Sequence, residues 1–302
     1  MKGLIKKIAI IIIITSTIIF SSCERRDILD EPRSSLRINI NWQKGQKRSE
    51  GFFVMLYPKD KSKEVLVDFV GTDGGIIRVP RGEYDILIHS YDYESIIVNR
   101  TNSFNSAYAT TSNRKIGGIL KATSEKDEVI LNQTDEMFYT GGFEGKAIDQ
   151  ANASYSVDIS PINIIKQYEY RIKINNSSNI ASVYATLSGL SGSYLLGVQK
   201  LGANAVSIYS EPIYNEKWIV IKVNTFGIIS GVIHKLNLKF TLTDGSTQIE
   251  SFDVTDNTSE LPNGGLITLH TTVINLDEVV GSGGIGGTVS EWGSEDIIDI
   301  IM

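Results

Sequence analysis

The sequence predicts an all-β protein with two consecutive antiparallel β-sandwiches behind an N-terminal signal segment. Three observations predict this fold class: apolar and polar residues alternate with period two, Asp-Gly steps lie between predicted strands, and no long amphipathic helix with clear caps is present. A chain of 302 residues, 41% of them hydrophobic, is long enough for two domains with separate cores.

The predicted strands are of two kinds. Alternating runs are typical of half-buried antiparallel strands, which have one face in the core and one in water. These runs are Leu36–Trp42, Tyr168–Ile174 and Lys235–Leu242. Denser apolar runs indicate more central strands, and the frequent Ile, Val, Thr and Tyr favour strand structure. The dense runs are Phe52–Tyr57, Val65–Val70 and Trp218–Val223.

Turn residues place the connections. Thr72–Gly75 and Thr243–Gly245 each contain an Asp-Gly step, which indicates a hairpin because both residues accept a positive φ. The stretch Gln150–Ser160 is small and polar and precedes Pro161, so it predicts a domain boundary. Ile162–Gln167 is compatible with a single helical turn.

The first residues predict a bacterial lipoprotein signal. The basic Met1–Lys7 precedes the apolar run Ile8–Ile19, which is shorter than the ~20 residues that a membrane-spanning helix needs. The only cysteine, Cys23, follows two serines and resembles the end of a lipobox, although Phe20 replaces the usual Leu. Lipid on Cys23 would tether the protein to a membrane without crossing it, and the alternative is an ordinary secreted protein. The predicted divisions are a signal peptide at 1–22, a lipidated tether at 23–35, an N-terminal sandwich at 36–150 and a C-terminal sandwich at 160–302.

Composition argues against several classes of function. The formal net charge of −6 would repel a phosphate backbone, so nucleic acid is not an expected partner. A single cysteine excludes a disulfide framework and cysteine-rich metal sites, and three histidines leave little imidazole for zinc or catalysis. We therefore expect neither a metal nor another cofactor.

No motif in the sequence supports an enzyme. Gly281–Gly286 matches G-x-G-x-x-G by letter, but a strand rather than a helix is predicted to follow it. Gly189–Ser193 has its second glycine in the wrong position for a nucleophile elbow. The histidines His89, His234 and His270 lie on alternating strands, where a packed or surface histidine is the simpler interpretation.

The segment His89–Glu94 is the best candidate for a binding contact. It follows the predicted strand Tyr84–Ile88 and mixes aromatic faces with hydrogen-bonding groups, a combination that suits recognition of sugars or proteins. Tyr91 and Tyr93 are the candidate contact residues. The alternative is that both rings cover the open end of the sandwich.

Six segments spread over nearly the whole mature chain, together with Cys23, carry a family resemblance. They are Ile40–Trp42, Phe53–Pro58, Asp68–Tyr84, Leu187–Gly192, Phe252–Asp256 and Gly286–Trp292. These segments resemble a family of Bacteroidales lipoproteins that carries a domain-of-unknown-function label. That family is grouped with the fimbrillin-associated anchor and tip lipoproteins.

The resemblance implies a pair of transthyretin-like, or more broadly immunoglobulin-like, β-sandwiches on a lipid anchor at the outer membrane, with a role in attaching or nucleating fimbriae. It supplies no catalytic residues. We therefore expect a non-enzymatic fimbrial anchor or adhesion lipoprotein that binds fimbrillin-like β-sandwich proteins through an edge strand. The alternative is a surface glycan-binding lipoprotein that uses Tyr91 and Tyr93.

The end of the chain predicts one more strand. Ile297–Met302 has apolar residues on both faces, so an exposed position would leave an edge that is prone to aggregation. We expect this strand to complete its own C-terminal sandwich rather than to be donated to a partner.

Overall fold

Strands form most of the chain that the structure describes. The computed structural model describes residues 32–114 and 129–277, so Cys23 and the predicted strand Ile297–Met302 lie outside the described residues. The elements of the first half are β1 (Arg33–Ile40), β2 (Gly51–Pro58), β3 (Leu66–Gly71), β4 (Gly74–Pro80), β5 (Gly82–Ser90), β6 (Ile96–Asn99), a 3-10 turn (Phe104–Ser106), β7 (Tyr108–Thr111), β8 (Ile130–Asn132), β9 (Tyr139–Ile148), β10 (Ser154–Ile159) and β11 (Ile162–Asn163).

The second half continues the same pattern. Its elements are β12 (Lys166–Asn175), a 3-10 turn (Ser177–Asn179), β13 (Ile180–Ser191), β14 (Ser193–Leu195), β15 (Lys200–Leu201), β16 (Ala205–Ser210), β17 (Ile213–Tyr214), β18 (Trp218–Thr225), β19 (Lys235–Leu242), β20 (Thr247–Asp253), α1 (Thr255–Glu260) and β21 (Gly264–Asn275). The six-residue α1 is the one α-helix within the described residues.

The first half forms an eight-stranded sheet that curls around its own core. The strand order is β10-β1-β4-β3-β2-β5-β9-β11, and β9 also contacts β10. On β1 the alternation works as predicted, because Leu36 and Ile38 point into the core while Arg33 and Arg37 point outward and are exposed. Seven of the strands contribute to this core, which places Phe52 among its fully buried residues.

The second half forms a two-layer sandwich. One layer has the order β17-β18-β12-β21 and the other β20-β19-β13-β16-β8. On β12, Tyr168, Tyr170 and Ile172 alternate into the core between the layers. The hydroxyls of Tyr170 and Thr258 are hydrogen-bonded at 2.8 Å, so the core also positions α1.

Two β-pairings connect the first half, which ends at β11, to the second half. A four-stranded sheet in the order β15-β14-β7-β6, which we call the bridging sheet, pairs β7 with β14. In addition, β8 pairs in parallel with β16. A third core beneath the bridging sheet takes buried side chains from both halves. Its members include Met55, Tyr57, Leu87, Phe104, Phe138, Ile164, Tyr194 and Phe226.

The all-β fold class is confirmed, and so are both Asp-Gly turns. Thr72 and Asp73 connect β3 to β4, and Thr243–Gly245 lies between β19 and β20. The predicted dense runs coincide with β2, β3 and β18 within two residues at either end.

Several details of the prediction differ from the structure. The stretch expected as a linker contains β10, which pairs in parallel with β1, because Tyr155, Val157 and Ile159 alternate toward the first core. The segment expected as a helical turn forms β11 and the start of β12. The predicted tether overlaps β1, which begins at Arg33. The sheets are mainly antiparallel, but β1–β10, β12–β21 and β8–β16 are parallel pairs.

Candidate functional site

Tyr91 lies at the surface in a cluster of aromatic rings at the end of β5. Its side chain is 38% exposed and its ring meets Phe69 edge to face, with centroids 5.1 Å apart. Phe53 completes the group at 6.1 Å from Phe69, and the Arg100 guanidinium lies 4.7 Å from the centre of the Phe53 ring. The Tyr91 hydroxyl donates a 3.0 Å hydrogen bond to Glu50, whose carboxylate raises the pKa of the tyrosine.

Tyr93 has a different environment. Its half-buried ring packs edge to face against Phe138 at 5.1 Å and contributes to the third core. Burial raises the pKa of its hydroxyl. The structure therefore does not present the two tyrosines as one platform. A sugar ring stacks best on a flat aromatic face, and the 88° angle between Tyr91 and Phe69 does not form a flat one.

The sequence reasoning missed Phe53, Phe69 and Arg100 as neighbours of Tyr91. Phe53 and Phe69 face each other in the β2–β3 register. Both residues lie within runs that we had interpreted only as central strands, so the signal was present in the alternation: each ring points away from the first core. Arg100 follows β6 in sequence and could not have been placed near Phe53 without the tertiary structure.

His89 is buried between aromatic rings. It has no exposed surface, and its ring stacks on Phe138 with centroids 5.7 Å apart. Nδ1 lies 2.8 Å from the Ser90 carbonyl oxygen, while Nε2 has no hydrogen-bond partner within the described part of the chain. Burial lowers the pKa of His89 to about 4, and Arg100 adds to this effect. A histidine held neutral in this way has a packing role.

The other two histidines do not form a reactive group either. His234 is buried, and its Nδ1 lies 3.2 Å from the carbonyl oxygen of Ser188, whereas His270 is exposed on β21. Over residues 32–114 and 129–277, no histidine ring is hydrogen-bonded to a carboxylate. The same residues contain no group of His, Cys, Asp and Glu side chains arranged to hold a metal ion. None of their helices has the length and apolar character needed to span a bilayer.

Sheet edges are the other candidate binding surfaces. β21 is the longest edge strand among the described residues, with 12 residues, and within this part of the chain it pairs with β12 alone. Val273 on this edge is 40% exposed. By contrast, the edge strand β17 has only two residues. At the start of β20, Gln248 donates a hydrogen bond to the Asn275 carbonyl oxygen and accepts one from the Asp277 backbone N–H. An open edge presents unpaired backbone groups to which another strand can add.

The fold defines the class, an all-β protein built from two joined halves, and sequence comparison identifies the family. The chain belongs to the family named domain of unknown function DUF5119, whose model matches residues 22–211. The family resemblance inferred from the sequence is confirmed.

The relatives of this chain include proteins whose names refer to fimbriae and adhesion. The chain is 24% identical to the "putative fimbrium anchoring subunit Fim4B" of Bacteroides ovatus, over 96% of this chain and 97% of that protein. A crystal structure of "a putative adhesin" from Bacteroides ovatus is 22% identical, covers 86% of this chain and 99% of its own, and has a TM-score of 0.67. The fimbrial anchor protein Mfa2 of Porphyromonas gingivalis is 12% identical, covers 80% and 90% of the two chains, and has a TM-score of 0.52. The two structures establish the shared fold.

Proposed function

We propose that this protein is a non-enzymatic, lipid-anchored component of the cell surface that anchors fimbriae or mediates adhesion. The observation that carries the proposal is the match to a fimbrium anchoring subunit, which spans almost the full length of both chains. A match of this extent is not confined to one of the two halves of the chain. The envelope location follows from the same relationship.

The membrane attachment is assigned to Cys23. The predicted signal ends at Ser22, and a diacylated cysteine would become the first residue of the mature protein. Nine residues lie between Cys23 and Arg33 at the start of β1, so an extended tether could span at most about 35 Å from the lipid to the first sheet. In this arrangement the protein is attached to the outer membrane and the whole body faces outward from it.

The edge of β21, which pairs with β12 alone among the described residues, supports the partner that we propose. A fimbrillin-like β-sandwich protein would add a strand beside β21, because a strand supplies the backbone donors and acceptors that an edge lacks. The 12 residues of β21 offer a longer ladder than any other described edge. The glycan-binding alternative gains no support from the perpendicular rings at Tyr91.

The first experiment tests the anchor and the class together. In cells that carry Cys23→Ala in place of the wild-type protein, we expect loss of lipid labelling and release of fimbriae into the medium. The measurement is the fraction of fimbrial protein that sediments with cells, with a Cys23→Ala strain complemented by the wild-type gene as the control. Cell-bound fimbriae in a strain that lacks the protein altogether would contradict the anchoring role.

The second experiment tests the edge. Val273→Lys places a charge on the β21 edge and should reduce co-sedimentation of the purified protein with isolated fimbriae, because edge charges disfavour strand addition. Ile213→Lys on β17 is the matched control, since Ile213 is 65% exposed on a two-residue edge. Equal binding by both variants and the wild type would refute the assignment to β21.

A further inference from the structure

A basic and apolar surface lies on the outer side of the first sheet. On β1, β4 and β3, the side chains that point away from the core include Arg33, Arg37 and Arg78, together with Val67, Phe69 and Ile76. We call these six residues the arginine face. The outward positions of these three strands carry no carboxylate, although the protein as a whole has a net charge of −6.

No carboxylate among the described residues neutralises the three arginines. None of the three forms an ion pair with any described residue. Arg37 lies opposite Ile76 and Arg78 opposite Ser35, so the two arginines are diagonal neighbours about 7–8 Å apart. The carboxylate at the border of this surface, Asp158 on β10, already accepts a hydrogen bond from Asn39 at 3.1 Å. Adjacent like charges without a counterion do not stabilise a sheet, so their arrangement favours an external anion.

The apolar members are unusually accessible for their size. Ile76 is 55% exposed, and Val67 and Phe69 are each 45% exposed. On β2 and β5 the same side of the sheet is covered by the third core, which buries Met55 and Leu87. The apolar side of the first sheet therefore continues from β2 and β5, where the third core covers it, to β3 and β4, where it is exposed. Apolar side chains beside arginines on one face are the combination that interfacial membrane binding uses.

The position of the lipid favours a membrane as the occupant. The segment that follows Cys23 joins the described body at β1, whose first residue, Arg33, belongs to the arginine face. We propose that the arginine face lies against the phosphate-bearing surface of the membrane to which the lipid attaches the protein. The arginines contact lipid phosphates, and Val67, Phe69 and Ile76 enter the headgroup region. This inference rests on the lipid anchor proposed at Cys23.

The contact would orient the molecule on the membrane. Attachment at one point would leave the body free to rotate, whereas a second contact through a sheet face determines which surfaces point outward.

Vesicle flotation tests the inference without the lipid. The full chain from residue 23 onward, carrying Cys23→Ser, is mixed at low salt with vesicles of phosphatidylcholine and phosphatidylglycerol, or of phosphatidylcholine alone. We expect flotation with the anionic vesicles only, and release at high salt, because screening weakens contacts between exposed charges. Equal flotation with both vesicle types, or no flotation with either, would overturn the inference.

Two variants locate the contact. Arg37→Gln/Arg78→Gln should lower the partition coefficient roughly 25-fold, at about five-fold for each arginine. The control is Lys200→Gln/Lys217→Gln, which removes the same charge from exposed positions of the second half. Its partition coefficient should stay within about two- to three-fold of that of the unsubstituted chain. Ile76→Gln tests the apolar contact at the most exposed apolar side chain of the face and should also weaken binding.

The outcomes separate this inference from the proposed function. Lipid labelling at Cys23 together with unchanged flotation of Arg37→Gln/Arg78→Gln would overturn the arginine face and leave the anchor intact. If that variant instead loses binding to isolated fimbriae while the wild-type chain binds no vesicles, the face belongs to a protein partner and the membrane assignment is wrong. Circular dichroism of each variant confirms that it is folded.

Discussion

Lowering the pH should destabilise this protein through His89. The side chain has no exposed surface, packs between Phe53 and Phe138, and has an Nε2 atom without a hydrogen-bond partner in the described chain. Burial lowers its pKa to about 4, compared with 6.5 for a histidine in an unfolded chain. At any pH between these values the unfolded chain binds the proton more readily, so stability from His89 is present above pH 6.5 and is lost as the pH falls toward 4.

The magnitude follows from the difference between the two pKa values. Between pH 7 and pH 5, linkage gives a loss of about 2 kcal/mol in the free energy of unfolding from this one residue. Below pH 4 the loss approaches a limit of about 3 kcal/mol. Other groups also titrate in this range, so the contribution of His89 must be measured as a difference between proteins.

The variant that isolates this contribution is His89→Phe. A phenyl ring can occupy the space between Phe53 and Phe138, and it cannot bind a proton. Urea unfolding at pH 7 and pH 5 should show that the wild type loses about 2 kcal/mol more than the variant between the two conditions. His270→Gln, at an exposed position on β21, is the control and should retain the wild-type pH dependence. If His89→Phe loses as much stability as the wild type, the buried histidine does not carry the effect.

Three further predictions concern the connection between the halves and the end of the chain. Gly197→Ala should destabilise the protein by about 1–3 kcal/mol, because a Cβ there would lie 2.1 Å from the Phe104 carbonyl oxygen. Gly71→Ala is the control and should not destabilise the protein, because the nearest atom to its Cβ would be 3.8 Å away. Equal melting temperatures of the two variants would count against close packing at Gly197. Cleavage between Gln150 and Ser154 should leave both fragments associated, since β7–β14 and β8–β16 pair across the cut, and fragments that separate on a sizing column as folded species would contradict this. Deleting Glu295–Met302 should lower the melting temperature if this segment completes its own sandwich, because burying each Ile contributes about 1.5–3 kcal/mol. A truncated chain that is equally stable but no longer binds fimbriae would indicate that the segment is a strand donated to a partner.

The sequence predicts the strands and turns, because their signals come from residues close together in the chain. The period-two runs place β1, β12 and β19, because alternation decides which face of a strand is buried, and the dense apolar runs place β2, β3 and β18. The two Asp-Gly turns are equally local. β10 also carries a readable signal, since Tyr155, Val157 and Ile159 alternate, but its small and polar neighbours suggested a linker.

Contacts between distant residues could not be predicted in the same way. Nothing in residues 108–111 indicates that β7 pairs with β14, because strand pairing depends on which edges meet after the chain folds. Tyr91 and Tyr93 illustrate the same limit at the candidate site. Two residues apart on a strand they would share one face, but β5 ends at Ser90, and beyond it the chain leaves the sheet and the two rings separate into different environments.

The connection between the halves matters for an anchor. The proposed lipid is attached ahead of β1 in the first half, and the proposed partner edge, β21, lies in the second. Any pull on a bound fimbria must therefore pass from β21 to β1 through the contacts that join the halves. A single linker would let the halves separate under such a load. Here the load is shared by the bridging sheet, the β8–β16 pair and a core that buries side chains from both halves, so the membrane attachment and the partner edge belong to one cooperative structure.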